Sequence, residues 1–361
     1  MSKALLRQGL VYYNTGENEQ ALNKFRNVAN NYPGSPEGVQ AVSSARQIYV
    51  DLGRVDEYAR WVKSLDYVNV SDSDLDNTTY ESAEKQYLAN DVSRSIRLFN
   101  SYLNEFPNGI HALKAHFYLA QCYYKDDLPN NAAPHYEYVV NKPSGEFTEQ
   151  SLTRLGEIYL NEKDLRQAQP VLERLENEAD YPQNVVFAQS NLMKVHYQLE
   201  DYTMSVEYAE KVLSSSRTDK NVKSDAHVII ARSAMKTGDE AKAKSAYARV
   251  EQIASGELAA EALYYNAYFK NKEGSYQSSN NVVQKLAKDY SSYKLYAAKG
   301  LVVMAKNFYA LDDAYQATYI LESVMENFSE FDDVVAEARD ELRRIKSEES
   351  KTNSSVETSN N

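Results

Sequence analysis

The sequence predicts an all-α solenoid: about nine helix–turn–helix repeats followed by one capping helix. Turn-forming residues recur at positions 16, 53, 90, 127, 163, 200, 238, 274 and 312, a step of about 37 residues that marks a repeat array. Five residues after each turn stands a small residue, Ala21, Ser95, Ala132, Ala168, Ser205, Ala243, Ser279 or Ala317, with Tyr58 the one departure. A small side chain at a fixed place on a helix lets a neighbouring helix approach closely. The 361 residues include only 12 Gly and 8 Pro but 30 Tyr. That composition suits half-buried helices and argues against a β-sandwich or a disordered chain.

The first repeat sets the rule. Within Gln8–Tyr32, Gly9 and Tyr12 precede the turn at Gly16, and Ala21, Phe25 and Val28 follow it. Residues four and seven apart share a helical face, so these make the core stripe. The second repeat, with Tyr49, Gly53, Tyr58, Val62 and Leu65, diverges most. The third carries Ala83, Asn90, Ser95, Phe99 and Tyr102, and the fourth Ala120, Tyr123, Asp127, Ala132, Tyr136 and Val139. In the fifth stand Gly156, Tyr159, Lys163, Ala168, Leu172 and Leu175; in the sixth, Met193, His196, Glu200, Ser205, Ala209 and Val212. The seventh has Ala231, Ala234, Gly238, Ala243, Tyr247 and Val250, and the eighth Ala267, Gly274, Ser279, Val283 and Leu286. Ala305, Phe308, Asp312, Ala317, Leu321 and Val324 complete the ninth.

The array is thus expected over residues 2–330, with a capping helix over 331–346. Val335, Ala338, Leu342 and Ile345 form the narrow apolar stripe of that cap, which would close the exposed core of the last repeat. Residues 347–361 have no core-forming periodicity and are expected to be disordered. No cap precedes Ser2, so the first helix would present an uncovered apolar face, and further repeats are expected upstream.

A net charge of −12 disfavours general binding to nucleic acid or to anionic membranes, both of which select a basic face. No run of about 18 apolar residues exists, so no membrane span is expected. The N-terminus lacks the apolar core and cleavage site of a signal peptide. The chain is accordingly either cytoplasmic or the C-terminal part of an exported protein. Its single cysteine, Cys122, excludes an intrachain disulfide framework and reads as a small buried hydrophobe.

The pattern of small, aromatic, small, aromatic and apolar residues, with Pro33 and Pro107 at the ends of repeats, resembles the tetratricopeptide repeat. That resemblance covers residues 2–330. It implies a right-handed superhelix of paired helices that binds protein and has no enzymatic activity. The Trp usual near the start of the family's first helix is absent, and each repeat is about three residues longer than usual. The phrases NNYPGSPEGVQA and NEFPNGIHALKA are similar to tetratricopeptide modules of the bacterial cell envelope. Several Tyr- and Asn-rich phrases also look like long repeat proteins of Bacteroidetes. A periplasmic or envelope location is what this resemblance implies.

No catalytic motif of the nucleotide-binding, serine-hydrolase or zinc-protease kinds occurs, and no cofactor or metal is expected. His111 and His116 are five apart, the wrong spacing for one helix face. Asp72, Asp74 and Asp76 have the spacing of the first ligands of a calcium loop, but Asn77 replaces its glycine and Ala83 its glutamate. The competing reading is a loop that caps a helix beginning near Thr78–Tyr80.

In tetratricopeptide arrays the first helices line the inner groove. Carried over by position, the groove residues are Tyr13, Tyr87, Tyr124, Tyr197 and Tyr309. Lys194, Arg232 and Lys306 lie three residues earlier on the same face, with Gln121 in the fourth repeat. These make a tyrosine ladder and a basic strip suited to an acidic peptide. Tyrosine at this place also serves simply to pack on the next repeat. The family's carboxylate clamp is not reproduced, since Leu6 and Leu10 occupy inward places. A partner protein or peptide is the expected ligand. The alternative is a carbohydrate or peptidoglycan stacked on the tyrosines.

Overall fold

In the computed structural model, residues 1–359 are described, with side chains through Lys351. The described residues form nineteen helices and no strand. Five hairpins and four more make up two compact units, Met1–Asp180 and Tyr181–Asn361. The first unit contains α1 (Ser2–Asn14) and α2 (Asn18–Asn31), α3 (Pro36–Leu52) and α4 (Val55–Val62), and α5 (Asp72–Leu88) and α6 (Val92–Glu105). It continues with α7 (Ala112–Lys125) and α8 (Pro129–Val140), then α9 (Thr148–Asn161) and α10 (Leu165–Glu178). The second unit contains α11 (Pro182–Gln198) and α12 (Tyr202–Ser214), α13 (Lys220–Thr237) and α14 (Glu240–Ile253), and α15 (Gly256–Lys272) and α16 (Tyr276–Asp289). It ends with α17 (Lys294–Ala310), α18 (Ala314–Asn327) and α19 (Asp332–Ser359). Inside each unit the second helix of a hairpin packs on the first helix of the next, so the fold is an all-α solenoid.

One turn design serves all nine hairpins. The residue at each expected turn position has a left-handed backbone: Gly16, Gly53, Gly238 and Gly274, and also Asn90, Asp127, Lys163, Glu200 and Asp312. The amide of the following residue then reaches back five residues, as in Glu17 N–H to Tyr12 O (2.8 Å), Asp201 N–H to His196 O (2.9 Å) and Asp313 N–H to Phe308 O (2.9 Å). This closes the first helix in a Schellman motif. In five hairpins that following residue is an aspartate, Asp91, Asp164, Asp201, Asp239 or Asp313. Its carboxylate accepts from the backbone of the second helix and caps it.

A left-handed conformation costs a residue with a Cβ roughly 1–2 kcal/mol, partly offset because glycine loses more entropy on folding. Glu200→Gly is therefore expected to stabilise the second unit by about 0.5–1 kcal/mol, and Gly238→Ala to destabilise it by about 1 kcal/mol. Thermal melts of the two variants check the pair. Equal and unchanged melting temperatures would contradict the assigned turn geometry.

The small slot is buried in every hairpin. Ala21, Ser95, Ala132, Ala168, Ser205, Ala243, Ser279 and Ala317 all have no exposed surface. At Tyr58 the slot holds a ring instead, packed 6.0 Å from Tyr49 and 6.4 Å from Trp61 between centroids, and α4 spans only eight residues. On the first helix of the first hairpin a small residue is needed too, because a Cβ at Gly9 would lie 2.6 Å from the Phe25 ring and the ring would have to shift.

Three expectations need correction. The helix expected to begin near Thr78–Tyr80 starts at Asp72. Ser71 and Asp74 form a reciprocal capping box there, which satisfies the free amides of the first turn. The buried stripe of the cap uses Val334 with Ala338, Leu342 and Ile345, rather than Val335. Val334 is four residues before Ala338 and so falls on its face. Lastly, α19 runs on to Ser359 where disorder was expected from residue 347. No Gly or Pro interrupts that stretch, and Arg344 and Tyr309 both bond Glu348 beyond the expected end. Asn360 and Asn361 lie outside the described residues.

Candidate functional site

In the first unit, Tyr87 and Tyr124 lie close together. They line one cavity of about 510 Å³ with Gln121, Lys125, Cys122 and Arg154. The C-terminal halves of α5 and α7 supply most of the wall, and α9 adds Arg154. Tyr87 stacks on Tyr118, with ring centroids 4.5 Å apart. The Tyr124 hydroxyl donates to Glu157 at 2.9 Å, and the Arg154 guanidinium lies over its ring at 4.7 Å while pairing with the same Glu157 at 2.7 Å. Burial, and then the bond to Glu157, raise the Tyr124 pKa, so the phenol remains a donor. The Gln121 amide nitrogen is buried there without a hydrogen-bond partner, an unusual cost in a folded protein. Cys122 is buried, and burial pushes its thiol up to about 11, so it is inert at neutral pH.

Tyr13 lies elsewhere in that unit. Its hydroxyl donates to Asp51 on α3 at 3.0 Å, and Asp51 also pairs with Lys85 of α5. This tyrosine thus ties three first helices together.

The second unit overturns the idea of an unneutralised basic strip. Lys194 pairs with Asp225 at 2.7 Å, Arg232 with Glu261 at 2.6 Å and Lys306 with Glu337 at 2.6 Å. Each partner is on the following first helix, where a periodicity argument about single helices does not look. Tyr309 donates to Glu348 at 2.9 Å, with Arg344 over its ring at 5.0 Å. Tyr197 makes an edge contact with Tyr202, 5.7 Å between centroids.

Glu261 centres the strongest of these arrangements. Its carboxylate is buried and accepts from Arg232 Nε (2.9 Å), from the Tyr247 hydroxyl (2.8 Å) and from the Tyr296 hydroxyl (3.0 Å). Burial alone would raise its pKa, but Arg232 and the two phenols outweigh that and hold it below the usual carboxylate range. Beside it Tyr264, Tyr265, Tyr268 and Tyr296 form an aromatic wall, with the Lys299 amine 5.7 Å from the Tyr264 ring. Sequence reasoning missed this wall. Glu261, Tyr264 and Tyr268 are spaced three and four apart on one face of α15, but the slot that set the register elsewhere holds Lys270 in this repeat.

The aspartates of the calcium-loop spacing diverge in use. Asp74 closes the capping box, while Asp76 is buried and accepts from the Tyr102 hydroxyl (2.7 Å) and the Ile110 amide (2.9 Å). Among the described residues no group of three His, Cys, Asp or Glu could hold a metal ion, and no helix is long and apolar enough to cross a membrane.

The first unit also contains an acid-sensitive contact. His116 Nδ1 and His135 Nδ1 are 2.8 Å apart, and the two rings lie against Tyr138 and Tyr123. One ring donates and the other accepts, and burial keeps both rings neutral at neutral pH. Burial, then His135 and Lys142, lower the His116 pKa to about 4, and burial lowers that of His135. In the unfolded chain both titrate near about 6.5. Above that value the contact's stabilisation is fully present. Below it the unfolded state takes up protons first, so stability falls as pH drops. The melting temperature of the first unit is expected to decline between about pH 6.5 and 5, before most carboxylates titrate. The slope should flatten in His135→Leu; an unchanged slope would exclude the pair as its source.

Stacked helical hairpins that share one turn and one small-residue slot define an α-helical repeat protein. Residues 3–35 match the family model of the tetratricopeptide repeat. The turn of that tetratricopeptide hairpin returns in the other eight hairpins, and its small slot in seven of them, with Tyr58 the exception. No curated protein sequence matches it significantly. Among solved structures, it is similar to a tetratricopeptide repeat protein from Parabacteroides merdae, at 11% identity and a TM-score of 0.36, covering 74% of this chain and 100% of that one. It is also similar to the C-terminal part of a repeat protein from Cytophaga hutchinsonii, at 13% identity and a TM-score of 0.45, covering 72% and 98%. A third similar structure is a complex of a tetratricopeptide domain of yeast Sti1 with pHSP90, at 14% identity and a TM-score of 0.33, covering 75% and 96%.

Proposed function

We propose that the chain is a non-enzymatic scaffold that holds an extended segment of a partner protein, anchored at the cavity of Tyr87, Gln121, Tyr124 and Arg154. The observation that carries this reading is the buried, unpaired amide nitrogen of Gln121 in the cavity wall. A carbonyl or carboxylate oxygen of an extended peptide would satisfy it, recovering the cost of an unmade buried bond. The rings of Tyr87 and Tyr124 offer area that is already ordered, so little entropy is lost on binding. The pairing of Lys194, Arg232 and Lys306 with carboxylates removes the reason to assign an acidic peptide to the second unit.

A role in assembly of the bacterial cell envelope is the wider proposal. It rests on the phrases around Pro33 and Pro107, and cell fractionation of the native host tests it.

The ligand class is tested by selecting peptides from a displayed library on the wild-type chain and measuring their affinity for variants. Tyr124→Ala and Gln121→Leu are each expected to weaken selected peptides about tenfold, equivalent to about 1.4 kcal/mol. Retention of glycans by the wild type that is abolished by Tyr124→Ala would instead establish carbohydrate binding and sink the scaffold reading.

A further inference from the structure

We propose that the outward face of α18 binds an arginine-bearing segment of a partner protein. The first argument is a break in the repeat. On the second helices, the residues three and seven positions after each turn are exposed in all eight preceding hairpins. Those places hold polar, small or proline residues, such as Glu19 and Asn23, Ser93 and Arg97, and Gln277 and Asn281. In the ninth hairpin they hold Tyr315 and Tyr319, which are 76% and 62% exposed. In both units the stacking of hairpins leaves this face open, so the two rings do not serve to pack a neighbouring repeat.

The chemistry of the stripe names the ligand. Glu322 and Glu326 follow on the same face of α18, since steps of three, four and seven residues nearly complete whole helical turns. Both are exposed. Glu322 pairs with Lys346 of α19 at 2.9 Å, and among the described residues Glu326 makes no ion pair. Elsewhere the chain shows what a tyrosine beside a glutamate holds. Arg154 lies 4.7 Å over the Tyr124 ring while pairing with Glu157 at 2.7 Å. Arg344 lies 5.0 Å over Tyr309 while pairing with Glu348 at 3.0 Å. Arg54 lies 5.9 Å over Tyr49 and pairs with Glu57 at 2.6 Å. A planar guanidinium can meet a ring with its face and a carboxylate with its edge at once, whereas an ammonium is a point charge. Among the described residues no arginine lies over Tyr315 or Tyr319, so the partner supplies it. Nucleic acid and anionic lipid do not fit, because exposed carboxylates repel phosphate.

The test compares two fluorescein-labelled peptides of alanine and glutamine, each of about 15 residues. One carries arginine and the other lysine at three positions four apart. Each is titrated with the full chain and followed by anisotropy. The arginine peptide is expected to bind about fivefold more tightly. Tyr315→Gln/Tyr319→Asn installs the residue types of the preceding hairpin, so the circular dichroism melt should not change while the arginine preference vanishes. Glu322→Gln/Glu326→Gln should weaken both peptides about threefold. Tyr124→Ala, in the separate cavity of the first unit, should leave the preference intact. Three results would overturn the proposal: equal affinity of the wild type for the two peptides, a preference that survives the double tyrosine variant, or undiminished binding by the double glutamate variant. So would concentration-dependent self-association in sedimentation that the tyrosine variant removes, because a second copy of the chain would then be the occupant.

Discussion

Glu261→Ala is expected to lower the stability of the second unit by about 3 kcal/mol, within the range found when one member of a buried ion pair is removed. Its carboxylate takes bonds from α13, α14 and α17 at once. Removing it leaves the Tyr247 hydroxyl buried without an acceptor, a penalty of about 1–3 kcal/mol by itself. Arg232 is 38% exposed and can turn to water, which keeps the loss from reaching the upper end. Glu261→Gln should recover little, since its amide presents a donor to a guanidinium that only donates. Arg232→Met combined with Glu261→Leu should recover only part of it, because no buried charge is left to compensate but the Tyr247 hydroxyl still lacks its acceptor. A loss of about 3 kcal/mol corresponds to a fall in melting temperature of roughly 6–12 °C for a unit of this size. A fall of less than about 2 °C would mean that the network contributes little.

The second large effect concerns the small slot. Ala168→Trp in the first unit and Ala243→Trp in the second each place an indole where the existing side chain has no exposed surface. Overpacking of a close helix contact costs about 1–3 kcal/mol and often more, and here the added volume is far more than one or two methylenes. Each variant should melt well below the wild type, and Ala168→Trp should loosen α9 and α10 in hydrogen exchange. The contrast is Tyr58, where the second hairpin already accommodates a ring beside Tyr49 and Trp61. Tyr58→Ala should therefore also destabilise, by leaving a cavity. Neutral melts for both tryptophan variants would mean that the repeat register is wrong.

The repeat register was legible in the sequence because its causes are local and recur. A left-handed residue, a Schellman bond and a small slot five residues later each depend on a few neighbouring positions, and nine copies reinforce one another. The same reading erred where the signal was not periodic. At Val334 a one-residue offset decided which valine faces the core, and beyond Lys346 a polar composition suggested disorder in a segment that continues as helix. The candidate site was only partly legible. Tyr87 and Tyr124 line one cavity with Gln121, and Arg154, which the repeat pattern does not bring to them, completes its lining. The wall of Tyr264, Tyr265, Tyr268 and Tyr296 went unseen because Lys270 breaks the aromatic slot of its repeat.

By itself, the sequence determined the fold class, the nine turns and which small residues sit at helix contacts, since these follow from backbone conformation and side-chain volume within one repeat. Only the tertiary structure decided which polar groups remain available to a ligand. Lys194, Arg232 and Lys306 look like a basic strip along the chain, yet Asp225, Glu261 and Glu337 on the following helices neutralise them. Lys3, Arg7 and Lys24 look no different in sequence, and among the described residues none of them makes an ion pair. An ion pair depends on a distance of a few ångströms between side chains a whole repeat apart, and that distance exists only once the helices are stacked.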